Sequence, residues 1–408
     1  MGDTTKTPFS SFFTKEQYAT QSEMLDLAQK TQKLQIGIPK ETTMVENRVA
    51  LVPNNVRVLV GLGHRVIVES GAGEKSRFSD HHYSEAGAQV TSDKKMVFES
   101  NVLIKIQPPT LEEIDLMGYN QMLISPLSIP LINEEYIQKL QAKKVTATAM
   151  EYMQAADGSF PVVRIMSEIA GLIAIQTAAE LLTNDNEGRG VIMGSISGVP
   201  PTKVVVLGAG VTGEYATKTA LSMGASVRVF DNDIYKLMEL QNKVGRQLHT
   251  STINPVYLGY QLLSADVVIG ALHSETGRAP VVVTEEMVSK MKRGSVIIDI
   301  SIDQGGCIET SQVTTHKSPT FLKHGVIHYC VPNIASKVSR TASISFSNIL
   351  VPLLVRMGNS VSLAQMIYNN EGIRNGIYMY KGKLTNEYLS KRFGLHWTDL
   401  NLILTSDL

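Results

Sequence analysis

The sequence has little of what several specialised protein classes need. Its 408 residues include only two cysteines, Cys307 and Cys330. Two thiols make neither a four-cysteine metal cluster nor a disulfide framework, and a secreted chain usually uses more. A reducing, cytoplasmic setting is therefore expected. The chain also lacks an excess of either charge, with Lys plus Arg and Asp plus Glu both totalling 38. Without a basic footprint, neither nucleic acid nor an anionic membrane surface is an expected partner. No uncharged run of about 18 apolar residues is evident, so no membrane span is expected. The opening residues Met1-Gly2-Asp3-Thr4-Thr5-Lys6 carry no basic stretch followed by an apolar run. They also lack the Ser or Thr of a myristoylation site, so neither a signal peptide nor a lipid anchor is expected.

What is there is globular: 43% hydrophobic and 19% charged residues. At about 100–200 residues per domain, the length suggests two or three domains. A chain this long buries roughly 75% of its unfolded surface, so it needs no metal or disulfide to hold it together. No metal site is expected.

Residues 1–33 read as an extension, with a helix over 16–34 that caps the fold or contacts another subunit. From Gln35 onward, strands alternate with helices. Ile36–Ile38, Arg65–Glu69, Asn101–Ile106, Gln121–Ser125 and Lys144–Ala149 form one strand set. Lys203–Leu207, Ser226–Phe230, Ala265–Gly270, Ser295–Ile300 and Val326–Tyr329 form a second. That alternation predicts α/β architecture, two Rossmann-like doubly wound domains with parallel sheets. The apolar segment Met166–Leu182 predicts a buried helix between the sets. A second apolar helix, Ser343–Met357, is expected to pack back onto the first domain. The expected division is 34–160 plus 336–408 for a substrate domain completed by C-terminal helices, and 161–335 for a cofactor domain.

The motif Gly208-Ala209-Gly210-Val211-Thr212-Gly213 follows the strand Lys203–Leu207 and opens a helix at Val211. A G-x-G-x-x-G alone is weak, but here it stands in its required context. Gly208 permits the tight turn, Gly210 lets backbone approach a pyrophosphate, and Gly213 allows close helix–strand packing. The helix start donates N–H groups to the phosphate. The next strand ends in Asp231, 23 residues after Gly208. A carboxylate there accepts from ribose hydroxyls and repels a 2′-phosphate, so NAD is expected rather than NADP.

A second glycine tract, Gly71-Ala72-Gly73-Glu74-Lys75-Ser76, lacks the third glycine and places Glu74 where a phosphate would sit. It reads as a surface loop. Asp303, before Gly305-Gly306, reads equally as a ligand-facing carboxylate at a strand end or as a turn former. Arg48 lies between the first strand and first helix. A loop arginine is usually solvated, but a guanidinium there also suits a bidentate grip on a carboxylate. Asn333, after Pro332, is open in the same way.

Several of these stretches together resemble a known family. Ile36-Gly37-Ile38-Pro39-Lys40-Glu41, Glu46–Ala50, Met166-Ser167-Glu168-Ile169-Ala170-Gly171 and the loop 208–213 resemble alanine dehydrogenases and the transhydrogenase alpha subunit. Asp303–Cys307 and Tyr329–Asn333 look specifically like alanine dehydrogenase, and the likeness runs from about residue 35 to the C-terminus. The transhydrogenase branch carries an Arg-x-x-Gln-x-x-Asp-type loop before the Ser167 helix. This chain has Asp157-Gly158-Ser159-Phe160-Pro161 there instead. The resemblance implies oxidation of L-alanine to pyruvate and ammonia with reduction of NAD. It implies a homo-oligomer, a hexamer or dimer, and a small amino-acid or 2-oxo-acid substrate. Arg48 matches the family's carboxylate-binding arginine. Ser167, Asp231, Asp303 and Asn333 match cofactor and active-site positions.

Two positions depart from that pattern. Lys105-Ile106-Gln107-Pro108-Pro109 places Gln107 where the family has its substrate-binding lysine, and Ser128 stands at about the position of the catalytic histidine. Gln107 carries no charge to polarise a carbonyl, and Ser128 does not move protons unaided near neutral pH. Losing one such group typically removes about 10²–10⁴-fold in rate. Lys105, two residues from Gln107, is expected on the same strand face. Two alternatives stand beside alanine dehydrogenase: a dehydrogenase for another small acid, and an NAD-binding sensor or assembly protein without turnover.

Overall fold

The computed structural model describes residues 32–43, 46–274 and 277–407. All but the last two residues of the helical extension expected over 1–33 lie outside them. The chain forms two units, one running to Val163 and resuming at Ser339, the other Arg164–Val338.

The first unit is built on eight strands: β1 (Gln35–Ile38), β2 (Arg65–Glu69), β3 (Gln89–Thr91), β4 (Val102–Ile104), β5 (Met122–Ser125), β6 (Thr146–Ala149) and, far along the chain, two more. β1 to β6 pair in parallel in the order β3-β2-β1-β4-β5-β6. The order reverses between β1 and β4, which makes that crevice the topological switch point. Strands β4, β5 and β6 are buried at every position, as sheets covered on both faces require. Their apolar side chains, among them Leu103, Leu123 and Ala147, join Ile114, Ile137 and Leu140 from neighbouring helices in one core.

The C-terminal part of the chain completes this unit. The helix Ser339–Asn359 lays two hydroxyls against its opening loop. Ser343 Oγ accepts from Val49 N at 2.9 Å, and Ser347 Oγ from Val52 N at 3.2 Å. These satisfy backbone donors that burial would otherwise leave unpaired.

The second unit carries β7 (Lys203–Leu207), β8 (Ser226–Phe230), β9 (His249–Ser251), β10 (Val267–Gly270), β11 (Val296–Asp299), β12 (Thr320–Lys323) and β13 (Val326–Tyr329). Its order is β12-β13-β11-β10-β7-β8-β9, all parallel except the edge strand β12. The switch point falls between β7 and β10, where the glycine motif leaves β7. Val205, Leu207, Val268 and Ile297 pack with Leu258, Leu262 and Val288 beneath it.

The remaining strands are β14 (Ile377–Tyr380) and β15 (Lys383–Leu384). They form a hairpin in which β14 pairs antiparallel with β6. The C-terminal part therefore adds strands as well as helices to the first unit. The helix expected over Met166–Leu182 spans Pro161–Leu181 and is not buried all round. Val163 and Leu172 are exposed, while Ala174, Ile175 and Ala178 are buried. This helix and residues 334–359 are long and apolar enough to cross a membrane by length and composition alone. Each buries one face within the chain, as core helices also do.

Candidate functional site

In the second unit, the three motif glycines have three different surroundings. Gly208 has φ +110°, and a Cβ there would lie 2.3 Å from the Ala271 carbonyl oxygen. A Cβ on Gly213 would lie 1.9 Å from the Gly208 oxygen. Both positions therefore exclude any side chain, the first through turn and contact, the third through helix–strand contact. Gly210 meets nothing within 4 Å. It caps the helix Val211–Ser222 without a side-chain hydrogen bond. Open space above an uncapped helix start is what an incoming pyrophosphate requires. Asp231, at the end of β8, accepts from Ala209 N at 2.7 Å and Asp233 N at 2.8 Å. The carboxylate thus locks the glycine loop and keeps lone pairs over for hydroxyl donors.

Ser167 lies one turn before Gly171 on the same helix face. A Cβ on Gly171 would fall 2.4 Å from Thr212 O and 2.8 Å from Ala216 N. The two helices therefore meet backbone to backbone, and Ser167 lies on the face that meets the start of the Val211 helix. Gly208, Gly210, Val211, Gly213 and Asp231 are brought to one end of this unit, and their chemistry fits a dinucleotide.

The second feature of this unit follows β11. Asp299 accepts from Cys307 N at 3.0 Å and Ser311 Oγ at 2.7 Å, which fixes the loop carrying Asp303. Burial pushes the Asp299 carboxyl up, against these donors. Asp303 is exposed, and its Oδ1 accepts from Asn333 N at 3.1 Å. Asn333 sits at φ +55°, a backbone state that Asn tolerates better than most residues. Asp303 and Asn333 are thus held together at adjacent strand ends. Gln304 fastens the facing loop through Ser274, accepting from its N–H at 2.9 Å and donating to its carbonyl at 3.0 Å.

In the first unit, Arg48 and Gln107 meet on one buried carboxylate, Glu46. Arg48 Nε and Nη2 donate to Glu46 Oε1 and Oε2, each at 2.7 Å. Gln107 Nε2 donates to Oε2 at 3.1 Å. Burial pushes the Glu46 carboxyl up, but Arg48 and Gln107 outweigh it and hold it below the usual range. Lys75 donates to the carbonyls of Glu46 at 3.0 Å and Thr43 at 3.2 Å. The tract Gly71–Ser76 is thereby a structural loop.

Lys105 does not share the Gln107 face. β4 ends at Ile104, and the Lys105 side chain is 1% exposed between Glu41 at 3.1 Å and Glu113 at 3.3 Å. Burial pulls its ammonium down, and the two carboxylates more than compensate, so it stays charged.

Ser128 follows β5 in the left-handed region, φ 45° and ψ 62°. Glu151 supports that loop, its Oε1 accepting from Leu127 N at 2.8 Å and Ser128 N at 3.3 Å. Glu151 Oε2 is buried without a partner, and burial raises the carboxyl above its ordinary value.

The sequence reading did not single out Glu46 or Glu151 as site residues. Their one signal was an acid beside a strand end, which many solvated acids share. A cavity of about 790 Å³ lies elsewhere in this unit, lined by Gln154, Arg356, Asn370 and Glu371 among others. Arg48, Gln107 and Ser128 do not line it. Among the described residues, no group of three His, Cys, Asp or Glu is placed to hold a metal ion.

Matches to known proteins extend across both units. Residues 37–170 match the family model for the N-terminal domain of alanine dehydrogenase/PNT, and residues 174–387 match the C-terminal domain. The chain is 38% identical over 366 residues to "Alanine dehydrogenase 2" of Staphylococcus aureus (strain USA300), covering 89% of this chain and 98% of that protein. A solved L-alanine dehydrogenase superposes with TM-score 0.83 at 34% identity, covering 88% of this chain and 99% of the other. A transhydrogenase from Sinorhizobium meliloti superposes with TM-score 0.75 at 27% identity, covering 87% and 99%.

Proposed function

The chain belongs to the alanine dehydrogenase/PNT family, and on that premise we propose that it is an NAD-dependent amino-acid dehydrogenase of the alanine dehydrogenase type. The reaction is L-alanine, NAD and water to pyruvate, ammonium, NADH and a proton. The nucleotide end of the second unit carries this reading, with open space over Gly210 and Asp231 locked beside it.

NAD, when bound, supplies the acceptor for the hydride. Gly208, Gly210, Gly213 and Val211 hold its pyrophosphate, Asp231 its ribose, and Ser167 its position against the helix start. Arg48 binds the substrate carboxylate, pre-oriented by its two bonds to Glu46. Asp303 takes the proton released from the amino group, and Asn333 fixes the loop around it. Gln107 donates a neutral hydrogen bond where the family has a cation, and Ser128 lines the neighbouring strand end. The working protein is a cytoplasmic homo-oligomer, a hexamer or dimer.

The test is NADH formation by the purified protein with L-alanine at alkaline pH, with NADP as control. Pyruvate, ammonium and NADH are run in reverse. NAD-dependent turnover supports the reading. Failure to bind NAD in calorimetry would sink it. The neutral Gln107 and Ser128 favour one second reading, an NAD-binding homologue that has lost turnover. It predicts NAD binding with no reaction for any amino or imino acid.

A further inference from the structure

We propose that Glu151 is the proton store for the water stage of this reaction, exchanging its proton with the attacking water through the Ser128 hydroxyl. The proposal rests on the dehydrogenase reading above and gives that site a positioning residue that acts through Ser128.

Amino-acid oxidation has two stages. Hydride transfer to NAD leaves an iminium at Cα. Water then adds: its oxygen bonds Cα, the C=N double bond opens to an amine, and one proton leaves the water. That proton returns to nitrogen and the C–N bond breaks. The hydroxyl becomes the keto oxygen as its own proton passes to the departing ammonia, giving pyruvate and ammonium. A group that takes and returns one proton speeds such a stage by about 10²–10⁴-fold. A serine hydroxyl does not hold that proton near neutral pH, but as donor and acceptor it passes one to a neighbour.

Strand register places the neighbour. β5 and β6 pair Ser125 with Ala149. Beyond that pair, Leu127 and Glu151 come level past the carboxyl ends, where open parallel sheets bind ligands. Glu151 lies on the short turn Met150–Tyr152. Its Oε1 accepts from Leu127 N at 2.8 Å and Ser128 N at 3.3 Å. Those bonds hold Ser128 at φ 45°, a costly backbone state for a residue with a Cβ. They use one carboxylate oxygen. The other, Oε2, is buried without a partner. Among the described residues the half-buried Ser128 hydroxyl has no partner either. An unsatisfied buried oxygen is costly, and a loop that needed only anchoring would be served as well by an amide.

The surroundings suit a carboxyl that changes charge. The titratable groups facing it are phenols: Tyr136 from the helix Glu134–Ala142, Tyr378 from β14, and Tyr152 from its own turn. Burial raises all three above the ordinary phenol value, so they stay neutral. Burial likewise lifts Glu151, and the backbone donors only reduce the rise. A carboxyl lifted toward neutral pH both accepts and returns a proton. The Lys40 ammonium serves a different place. It stands 3.0 Å from where a Cβ on Gly71 would lie, just beyond β2. β2 and β5 are three strand spacings apart, about 14 Å.

The experiment follows alanine oxidation by the full chain in rapid-mixing and steady-state assays, with calorimetry of NAD on the same samples. Glu151→Gln keeps an amide oxygen for the two backbone bonds. It should fold, bind NAD within about twofold of wild type, and form NADH in the first turnover within about threefold of the wild-type rate. Its steady-state kcat should then fall by about 10²-fold or more. Ser128→Ala should fall alike, and the double variant no further. Adding Ser128→His to Glu151→Gln supplies a new carrier and should recover at least about tenfold. In the wild type, the infrared band of a protonated carboxyl should titrate above the ordinary pH 4.5 and be missing from Glu151→Gln. Unchanged kcat in Glu151→Gln, or equal losses in the first turnover and the steady state, would leave Glu151 a loop anchor. That overturns the proposal while the dehydrogenase reading stands. Wild-type protein that binds NAD but forms no NADH overturns both.

Discussion

Gln107 donates to the same Glu46 oxygen, Oε2, that accepts from Arg48 Nη2. Gln107 is thus part of the apparatus that holds Arg48 in place. Glu46 is fully buried and the Arg48 side chain is 10% exposed. Removing one member of such a pair leaves a buried charge without its counter-ion. Glu46→Gln should therefore cost about 3–5 kcal/mol of stability. Urea unfolding of both proteins checks it, and a loss below about 1 kcal/mol would mean that water reaches Arg48.

The three glycines should separate by assay. Gly213→Ala drives a methyl group to 1.9 Å from a backbone oxygen and should reduce both stability and NAD binding. Gly210→Ala meets nothing, so it should fold with a stability loss of about 1 kcal/mol or less, in the range of an altered helix cap. Its NAD affinity should still fall by at least about tenfold. Thermal melts and calorimetry on both variants suffice. Undiminished NAD binding by Gly210→Ala would place the pyrophosphate elsewhere.

Asp231→Ser should narrow the preference for NAD over NADP. The change removes the carboxylate that repels a 2′-phosphate and loosens the tie to Ala209. The expected shift in the ratio of dissociation constants is about tenfold or more. An unchanged ratio would remove Asp231 from the ribose site.

How much of this was legible beforehand follows from where the information sits. Gly208, Gly210 and Gly213 could be read because each glycine answers a local steric demand. The parallel strand sets could be read because double burial leaves continuous apolar runs. The Lys105 environment could not. The two-residue alternation rule presumes a strand, and the strand stops at Ile104. Glu41, Glu46, Glu113 and Glu151 were hidden for a related reason, since which cation or amide an acid meets is settled by distant parts of the chain. The hairpin β14–β15 was readable in principle, as Ile377–Tyr380 is apolar and aromatic and Gly382 follows at φ +78°.

His328 gives stability a pH dependence of known sign. Its ring is buried. Nδ1 donates to the Val326 carbonyl at 3.0 Å, so Nε2 accepts from Thr310 Oγ1 at 2.8 Å. Burial lowers its pKa to about 4, below the ordinary imidazole value of 6.5. The unfolded chain therefore takes up the proton first. The stabilisation is complete above pH 6.5 and is lost as pH falls toward 4. Between pH 7 and pH 5 the wild type should lose about 2 kcal/mol more than His328→Gln. Parallel slopes in urea titrations at the two pH values would show that the ring protonates freely in the native state.

The serine contacts that join Val49 and Val52 to the helix Ser339–Asn359 also set a schedule for the ribosome. β1 to β6 leave the exit tunnel first, yet their closing helix and the neighbour of β6 are encoded after the whole of Arg164–Val338. Through that interval the nascent chain displays a bare strand edge at Thr146–Ala149 and an apolar surface without its cover. The middle unit, contiguous in the message, has all its parts in hand by residue 338. Synthesis therefore completes the second unit before the first, and strands β1 to β6 wait longest for their cover.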